Sequence, residues 1–284
     1  MNNTIVTGGS GFLATEFLNK LKNKKNIYLI SRRKLKLNKN FNNIVCDLRN
    51  KSNTIKILKK INPTTVYHFA WNGIPKFDKK NFLENKNISE NLIQGLNTIN
   101  CKKIIISGSG AEYGVNKKFC YETSKPSKKI TELGRQKNFI RRLFFNKLNN
   151  KITIIWARVF YVYGKKQREG SLLNRLFQAK KKRKFLFLKF PYIYNDYIYV
   201  KDVVNALVKL EKIKKSQIIN ICSSKAISNY EFVKTFEMIN KIKVLKISPT
   251  NNIKKIQIGS NRKLKKLGWK QKYNLSKAFK DLCH

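Results

Sequence analysis

The sequence predicts an α/β protein, a doubly wound parallel sheet carrying a smaller C-terminal lobe. Three observations lead there. A short β-branched run, Thr4-Ile5-Val6, enters Thr7-Gly8-Gly9-Ser10-Gly11-Phe12-Leu13-Ala14, which opens the apolar-periodic segment Phe12, Leu13, Phe17, Leu18, Leu21. Strand, glycine turn and helix in that order let the free N–H groups of a helix start hold a pyrophosphate. Strand-like and helix-like segments then alternate through the first half of the chain. Finally, 284 residues suffice for one large domain or one and a half.

Within the glycine stretch, Gly8 permits the tight turn and Gly11 lets the backbone approach a phosphate. The small Ala14 lets the helix pack close to the sheet. Ile27-Tyr28-Leu29-Ile30 reads as the second strand, ending in Ser31-Arg32-Arg33. A site for NAD usually has an acid at that end, whereas Arg32 suits the 2′-phosphate of NADP, the modestly preferred cofactor. Asn43 to Cys46 is a third strand closed by Asp47-Leu48, residues 51–61 a helix, and residues 65–70 a fourth strand. Trp71-Asn72-Gly73-Ile74-Pro75 follows at the carboxyl edge, where open α/β sheets bind ligands. A helix over 82–99, a strand over 103–106 and the loop Ser107-Gly108-Ser109-Gly110-Ala111-Glu112-Tyr113-Gly114 come next. A helix over 131–148 and a strand over 152–160 complete this half. Beyond them the pattern predicts a helix over 170–179, an apolar strand-like stretch over 185–193, a strand over 217–222 and a helix over 229–239.

Composition bounds the function. The five cysteines are scattered without CxxC spacing, which argues against disulfides and zinc and points to a reducing cytoplasm. Two histidines make a histidine-based metal site unexpected. No apolar run reaches bilayer length, and the expected location is the cytoplasm. Lysine and arginine total 62 against 15 acids, a formal +47. Such a surface attracts polyanions, nucleic acid included, non-specifically and in a salt-dependent way. Its even spread reads as a background property, and the run Lys180 to Lys184 as a solvated helix end.

The ordered segments TGGSGFLA, CDL, HFAWNG, SGSGAEYG, RVFYVYG, DYIYVKDV and NICSS resemble the extended short-chain dehydrogenase/reductase superfamily. Within it, the likeness is to NAD(P)-dependent sugar-nucleotide epimerases, dehydratases and reductases. This resemblance implies a Rossmann-like dinucleotide domain over 1–164. Residues 165–284 would mainly form the substrate lobe, with 194–222 returning to the core. It implies that Gly8, Gly11, Phe12, Leu13, Arg32, Asp47, Leu48, Phe69, Ala70 and Trp71 contact the cofactor. Asp47 and Leu48 would flank the adenine. Ser109 would hydrogen-bond the reacting oxygen of a nucleotide-linked sugar, with Glu112 and Tyr113 beside the substrate. Arg168 and Arg262 would hold the nucleotide diphosphate, since a guanidinium grips phosphate in bidentate fashion. Asp202 fits a family position or, more simply, an N-terminal cap for residues 203–210. The helices over 82–99 and 131–148 resemble a pair that relatives use to form a homodimer. The HFAWNG and SGSGAEYG segments look like enzymes making deoxysugars for surface polysaccharide.

One family residue is missing. Members carry Tyr-x-x-x-Lys, the tyrosine as proton donor or acceptor and the lysine as its pKa-lowering, ribose-binding partner. Here Leu133-Gly134-Arg135-Gln136-Lys137 retains Lys137 and puts Leu133 in the tyrosine's place. The literal Tyr121-Glu122-Thr123-Ser124-Lys125 reads as a decoy, because Pro126 disfavours a helix through it. Gly110 and Ala111 also depart from the Thr-Asp-Glu of sugar 4,6-dehydratases. The resemblance therefore implies C4 hydride transfer on a nucleotide-linked sugar, with Tyr113, Tyr161, Tyr163 or water replacing the acid. The alternative is an atypical member that binds a dinucleotide, or less readily RNA, without turnover.

Overall fold

The computed structural model describes residues 2–35, 40–115, 119–248 and 255–283. Strands β1 (Thr4–Thr7), β2 (Ile27–Ser31), β3 (Asn42–Val45), β4 (Thr65–His68), β5 (Lys103–Ser109) and β6 (Thr153–Val159) alternate with helices α1 (Phe12–Leu21), α2 (Lys51–Ile61), α3 (Lys79–Leu96) and α4 (Glu132–Lys147). A 3-10 turn, Gly110–Tyr113, follows β5. The chain then passes through β7 (Tyr161–Tyr163), α5 (Leu172–Lys182), β8 (Leu186–Leu188), β9 (Ile193–Asn195), β10 (Tyr197–Tyr199), α6 (Val200–Leu210) and β11 (Gln217–Ile221). Its last part holds β12 (Ile227–Ser228), α7 (Asn229–Asn240), β13 (Leu245–Ile247), β14 (Lys255–Gln257), α8 (Arg262–Lys266) and α9 (Leu275–Cys283).

Seven strands form one parallel sheet in the order β11-β6-β5-β4-β1-β2-β3. The runs Ile104-Ile105-Ile106 and Ile154-Ile155-Trp156 are buried on both faces, as a sheet covered by crossover helices requires. One face packs Phe17 and Leu21 of α1 with Val203 and Leu207 of α6. The other packs α2, α3 and α4 through Leu58, Leu92 and Phe144. Strand order reverses between β1 and β4, and in open sheets that crevice, at the carboxyl ends, is where ligands bind.

The remaining strands are short and belong to a second core built on Leu176, Phe232, Phe236 and Phe279. There β8 pairs with β13, β7 with β10, and β9 with both β12 and β14. The apolar stretch expected over 185–193 is two strands, because proline cannot donate to a ladder and Pro191 interrupts it. Helix α3 starts earlier than its apolar pattern, since the Asp78 side chain accepts from the Asn81 N–H at 2.8 Å. Asp202 is not a cap. It lies inside α6, fully buried, and its carboxylate accepts the N–H groups of Lys272 (2.9 Å) and Tyr273 (3.0 Å). Local sequence could not reveal those partners, seventy residues away.

Asp196 ties the second core to the sheet. Its buried carboxylate accepts from the Ser223 N–H (2.6 Å), the Ser223 hydroxyl (2.7 Å), the Ser224 N–H (3.0 Å) and the Gly259 N–H (3.0 Å). Burial pushes its pKa up to about 6, and four donors with no acceptor hold it ionised at neutral pH. Asp196→Asn turns an amide NH₂ toward two of those donors. Urea denaturation is expected to show a loss of about 2–4 kcal/mol, whereas a change below about 0.5 kcal/mol would mean the four bonds contribute nothing net.

Candidate active site

The glycine turn sits at the strand-order reversal. Gly8 has φ +71°, and a side chain there would put Cβ 2.6 Å from the Ala70 backbone nitrogen. Only glycine therefore lets the turn pass against the end of β4. Gly11, without a side chain, precedes α1, so the helix's first N–H groups and its positive dipole end face the cleft uncapped. Gly8, Gly11, Arg32, Asp47, Leu48, Phe69, Ala70 and Trp71 all line this one cleft. Phe12 and Leu13 do not line it; their side chains pack into the second core, and only their backbone can serve a ligand.

Asp47 meets Arg49 at 2.6 Å, and Arg49 also reaches Glu84 at 3.2 Å. Hydrogen bonding from Arg49 holds the Asp47 carboxyl below its ordinary range. The loop after β4 is pinned to α3: the Asn72 N–H donates to the Asn85 side-chain oxygen at 2.8 Å, and the Asn85 amide donates back to the Asn72 carbonyl at 3.1 Å. Trp71 is thereby fixed against the cleft wall. Its Nε1 is buried and, among the described residues, has no hydrogen-bond partner.

Ser109 ends β5 and caps the 3-10 turn, its hydroxyl accepting from the Ala111 N–H at 3.1 Å. Lys137 comes from α4, which docks closely because Gly134 lies against the Ala111 carbonyl. The Lys137 ammonium donates to the Ser107 carbonyl at 2.7 Å and lies 3.6 Å from the Trp71 ring centroid, within cation–π range. It is 6 % exposed. Burial lowers its pKa to about 7, partly opposed by Glu112. Neighbouring His68, also buried, is held neutral with a pKa of about 3, by burial and by Lys137. Leu133 is half-buried in the first turn of α4, one turn before Lys137.

Residues 4–222 match the NAD dependent epimerase/dehydratase family. The chain belongs to that family. Among curated proteins, the bifunctional UDP-glucose 4-epimerase and UDP-xylose 4-epimerase 1 of Pisum sativum is 25% identical, over 98% of this chain and 93% of its own. Among solved structures, the UDP-glucose 4-epimerase of Thermotoga maritima with UDP-glucose superposes with a TM-score of 0.86 at 21% identity, covering 99% of this chain and 97% of that one. The UDP-glucose 4-epimerase of Thermus thermophilus in complex with NAD gives 0.86 at 18% identity, covering 99% and 97%. Both structures carry the same Rossmann-like α/β fold.

Two residues expected beside the substrate, Glu112 and Tyr113, have protein partners in the structure. Glu112 and Tyr113 are fully buried. The Glu112 carboxylate accepts from the Ser109 N–H, the Trp156 indole and Arg158, each at 2.8 Å. Tyr113 donates to the Asn220 side-chain oxygen at 2.7 Å, and burial drives its pKa up. These bonds tie Glu112 and Tyr113 to β5, β6 and β11. Arg168 lines a second cleft with Tyr161, Arg175 and Asn195. Arg262 instead lies 6.0 Å from the exposed Tyr121 ring and does not line that cleft. Tyr121 to Lys125 is not helical. Sequence reasoning missed Arg49 and the Glu112 partners; Trp156 and Arg158, two apart on one strand, carried a period-2 signal that could have found the latter.

The dinucleotide fits what is present: an uncapped helix start, a glycine turn and an unpartnered indole N–H share one cleft. Among the described residues no cluster could hold a metal ion, and no helix is long and apolar enough to cross a membrane.

Lys137 titration can be read in stability. Its folded pKa lies below its ordinary value, so the protonated fold carries a full penalty below about pH 7. That penalty fades as pH rises toward the ordinary lysine value, by up to about 1.4 kcal/mol per pH unit. Lys137→Met removes the titration. Denaturation from about pH 6 to about pH 9 is expected to show the wild type gaining on the variant; a gap constant with pH would mean Lys137 stays charged.

Proposed function

We propose that the chain binds NADP(H) or NAD(H) in the glycine-turn cleft and a nucleotide-linked sugar in the cleft beside Arg168, for hydride transfer at the sugar's C4. The carrying observation is convergence: Gly8, Gly11, Asp47 and Trp71 line one cleft, and Lys137 touches Trp71 from α4. The nicotinamide, when bound, supplies or accepts the hydride. Ser109 orients the sugar oxygen, Lys137 holds the ribose, and the first N–H groups of α1 with the nearby arginines bind phosphate oxygens.

Arg32 at the cleft supports a preference for NADP(H), although solved relatives carry NAD. Five free cysteines, four of them buried, support a reducing cytoplasm. Exposed Leu83 on α3 and Phe139 on α4 support pairing of two copies. The likeness of the loop segments supports a role in surface polysaccharide synthesis.

Leu133 favours a second reading, in which the cofactor is bound without turnover. Of the tyrosines that could replace the missing acid, Tyr113 and Tyr163 are buried, while Tyr161 is 44% exposed. Tyr161 stands two residues beyond Val159, the ladder partner of Ser109, which supports it as the proton source if the wild type turns over.

The test follows Trp71 fluorescence on adding each dinucleotide, with Trp71→Phe as control, then assays nucleotide-linked 4-keto and 4-hydroxy sugars for cofactor absorbance and product. Binding is expected in the wild type, and its absence would sink both readings. Turnover lost in Tyr161→Phe and Ser109→Ala supports catalysis through those hydroxyls. A silent wild type with turnover in Leu133→Tyr, by about 10²-fold or more over background, supports binding without chemistry.

A further inference from the structure

The ribbon of β8 and β13 carries Phe185 and Phe187 on an outer side that lines neither cleft, while Leu188 and the following Phe190 line the cleft beside Arg168. Leu186 and Leu188 point inward and are buried, while Phe185 and Phe187 stand outward, 53% and 55% exposed. Lys246 is the ladder partner of Phe187, and its ammonium lies 4.0 Å from the Phe185 ring centroid. The backbone under Phe187 is braced, its carbonyl accepting from Arg175 at 3.0 Å. Immediately before the ribbon, α5 ends in Lys180, Lys181 and Lys182, with Arg183 left-handed at φ 51° and Lys184 exposed. Phe190 and Tyr192 continue the exposed aromatics beyond it.

Such a face is costly to leave in water unless it binds something. Phe185 stands just before β8 and Phe187 within it, both exposed; residues two apart in extended chain lie about 6.6 Å apart, so each ring can take one base of a single strand. Cations at both ends and on the neighbouring strand follow the phosphates. The order Arg183-x-Phe185-x-Phe187 follows the basic and aromatic positions of strands on which RNA-recognition sheets stack bases, with Lys184 and Leu186 where those carry small residues, here on an unrelated two-stranded ribbon. We infer that this ribbon is a binding platform for single-stranded nucleic acid, separate from the dinucleotide cleft. An anionic bilayer fits less well. Insertion needs a contiguous apolar face, whereas here Lys246 stands opposite Phe187 and over the Phe185 ring, directly after the basic run 180–184.

The decisive feature is the aromatic pair, because charge alone gives any protein of +47 a salt-dependent affinity for polyanions. The test is an anisotropy titration of the full chain with an unstructured single-stranded RNA of about twelve nucleotides. Its duplex and phosphatidylglycerol vesicles run beside it. The wild type is expected to prefer the single strand over the more highly charged duplex. Phe185→Ala and Phe187→Ala are each expected to weaken single-strand binding about ten-fold with the salt slope unchanged, and Phe187→Tyr to retain it. Lys56→Ala with Lys59→Ala, on the exposed side of α2, changes charge alone and lowers both RNA forms equally. Aromatic variants that bind RNA as the wild type does would overturn the inference, as would a loss confined to the vesicles.

Discussion

The Glu112 carboxylate, closed off from solvent, is the constraint from which the site takes its shape. One oxygen accepts the Ser109 N–H and the Trp156 indole; the other accepts Arg158. The Glu112 carbonyl takes the Asn138 amide at 2.9 Å. A single residue thus joins β5, β6 and α4, fixing Ser109 on one side and, through the neighbour of Asn138, Lys137 on the other. A buried charge is tolerable only when so fully partnered. Arg158 does not stop there: its guanidinium covers the Tyr113 ring at 4.3 Å, and Tyr113 binds Asn220 of β11. The candidate site therefore rests on a polar spine that spans the sheet from β5 to β11.

Most of the fold was legible because it is written in local patterns. The strand, glycine turn and helix at the N-terminus, the apolar strands and the span 51–61 follow directly from periodicity and capping. The glycine-turn cleft was readable as a place, since much of its lining follows the carboxyl ends of β1, β2, β3 and β4. What escaped was set by distance in sequence. Asp202 looked like a cap because the sequence displays its neighbours and hides Lys272 and Tyr273. Glu112 looked like a substrate ligand because it sits in a glycine-rich loop, while Trp156 and Arg158 enclose it from another strand. The exposed aromatics were hidden for a related reason: Phe185 to Tyr192 reads as one apolar stretch, and only the alternation of buried and exposed side chains along β8 separates core from surface.

Leu133, Lys137 and Trp71 make physical sense as a set. In the resembling families the lysine stays charged beside a tyrosine, lowering that phenol's pKa. With leucine one turn earlier there is no phenol for Lys137 to activate. Lys137 is buried, its proton loosened toward neutrality, its charge met by a carbonyl and an indole face. An ammonium so placed still donates hydrogen bonds to a ribose hydroxyl, and when neutral it can also accept one. Burial, with Lys137 nearby, also keeps His68 uncharged. Positive charge at the glycine-turn cleft comes from Arg32 and the start of α1. That placement of charge is what the phosphates of the proposed dinucleotide would need, and it holds whether or not a proton is moved afterwards.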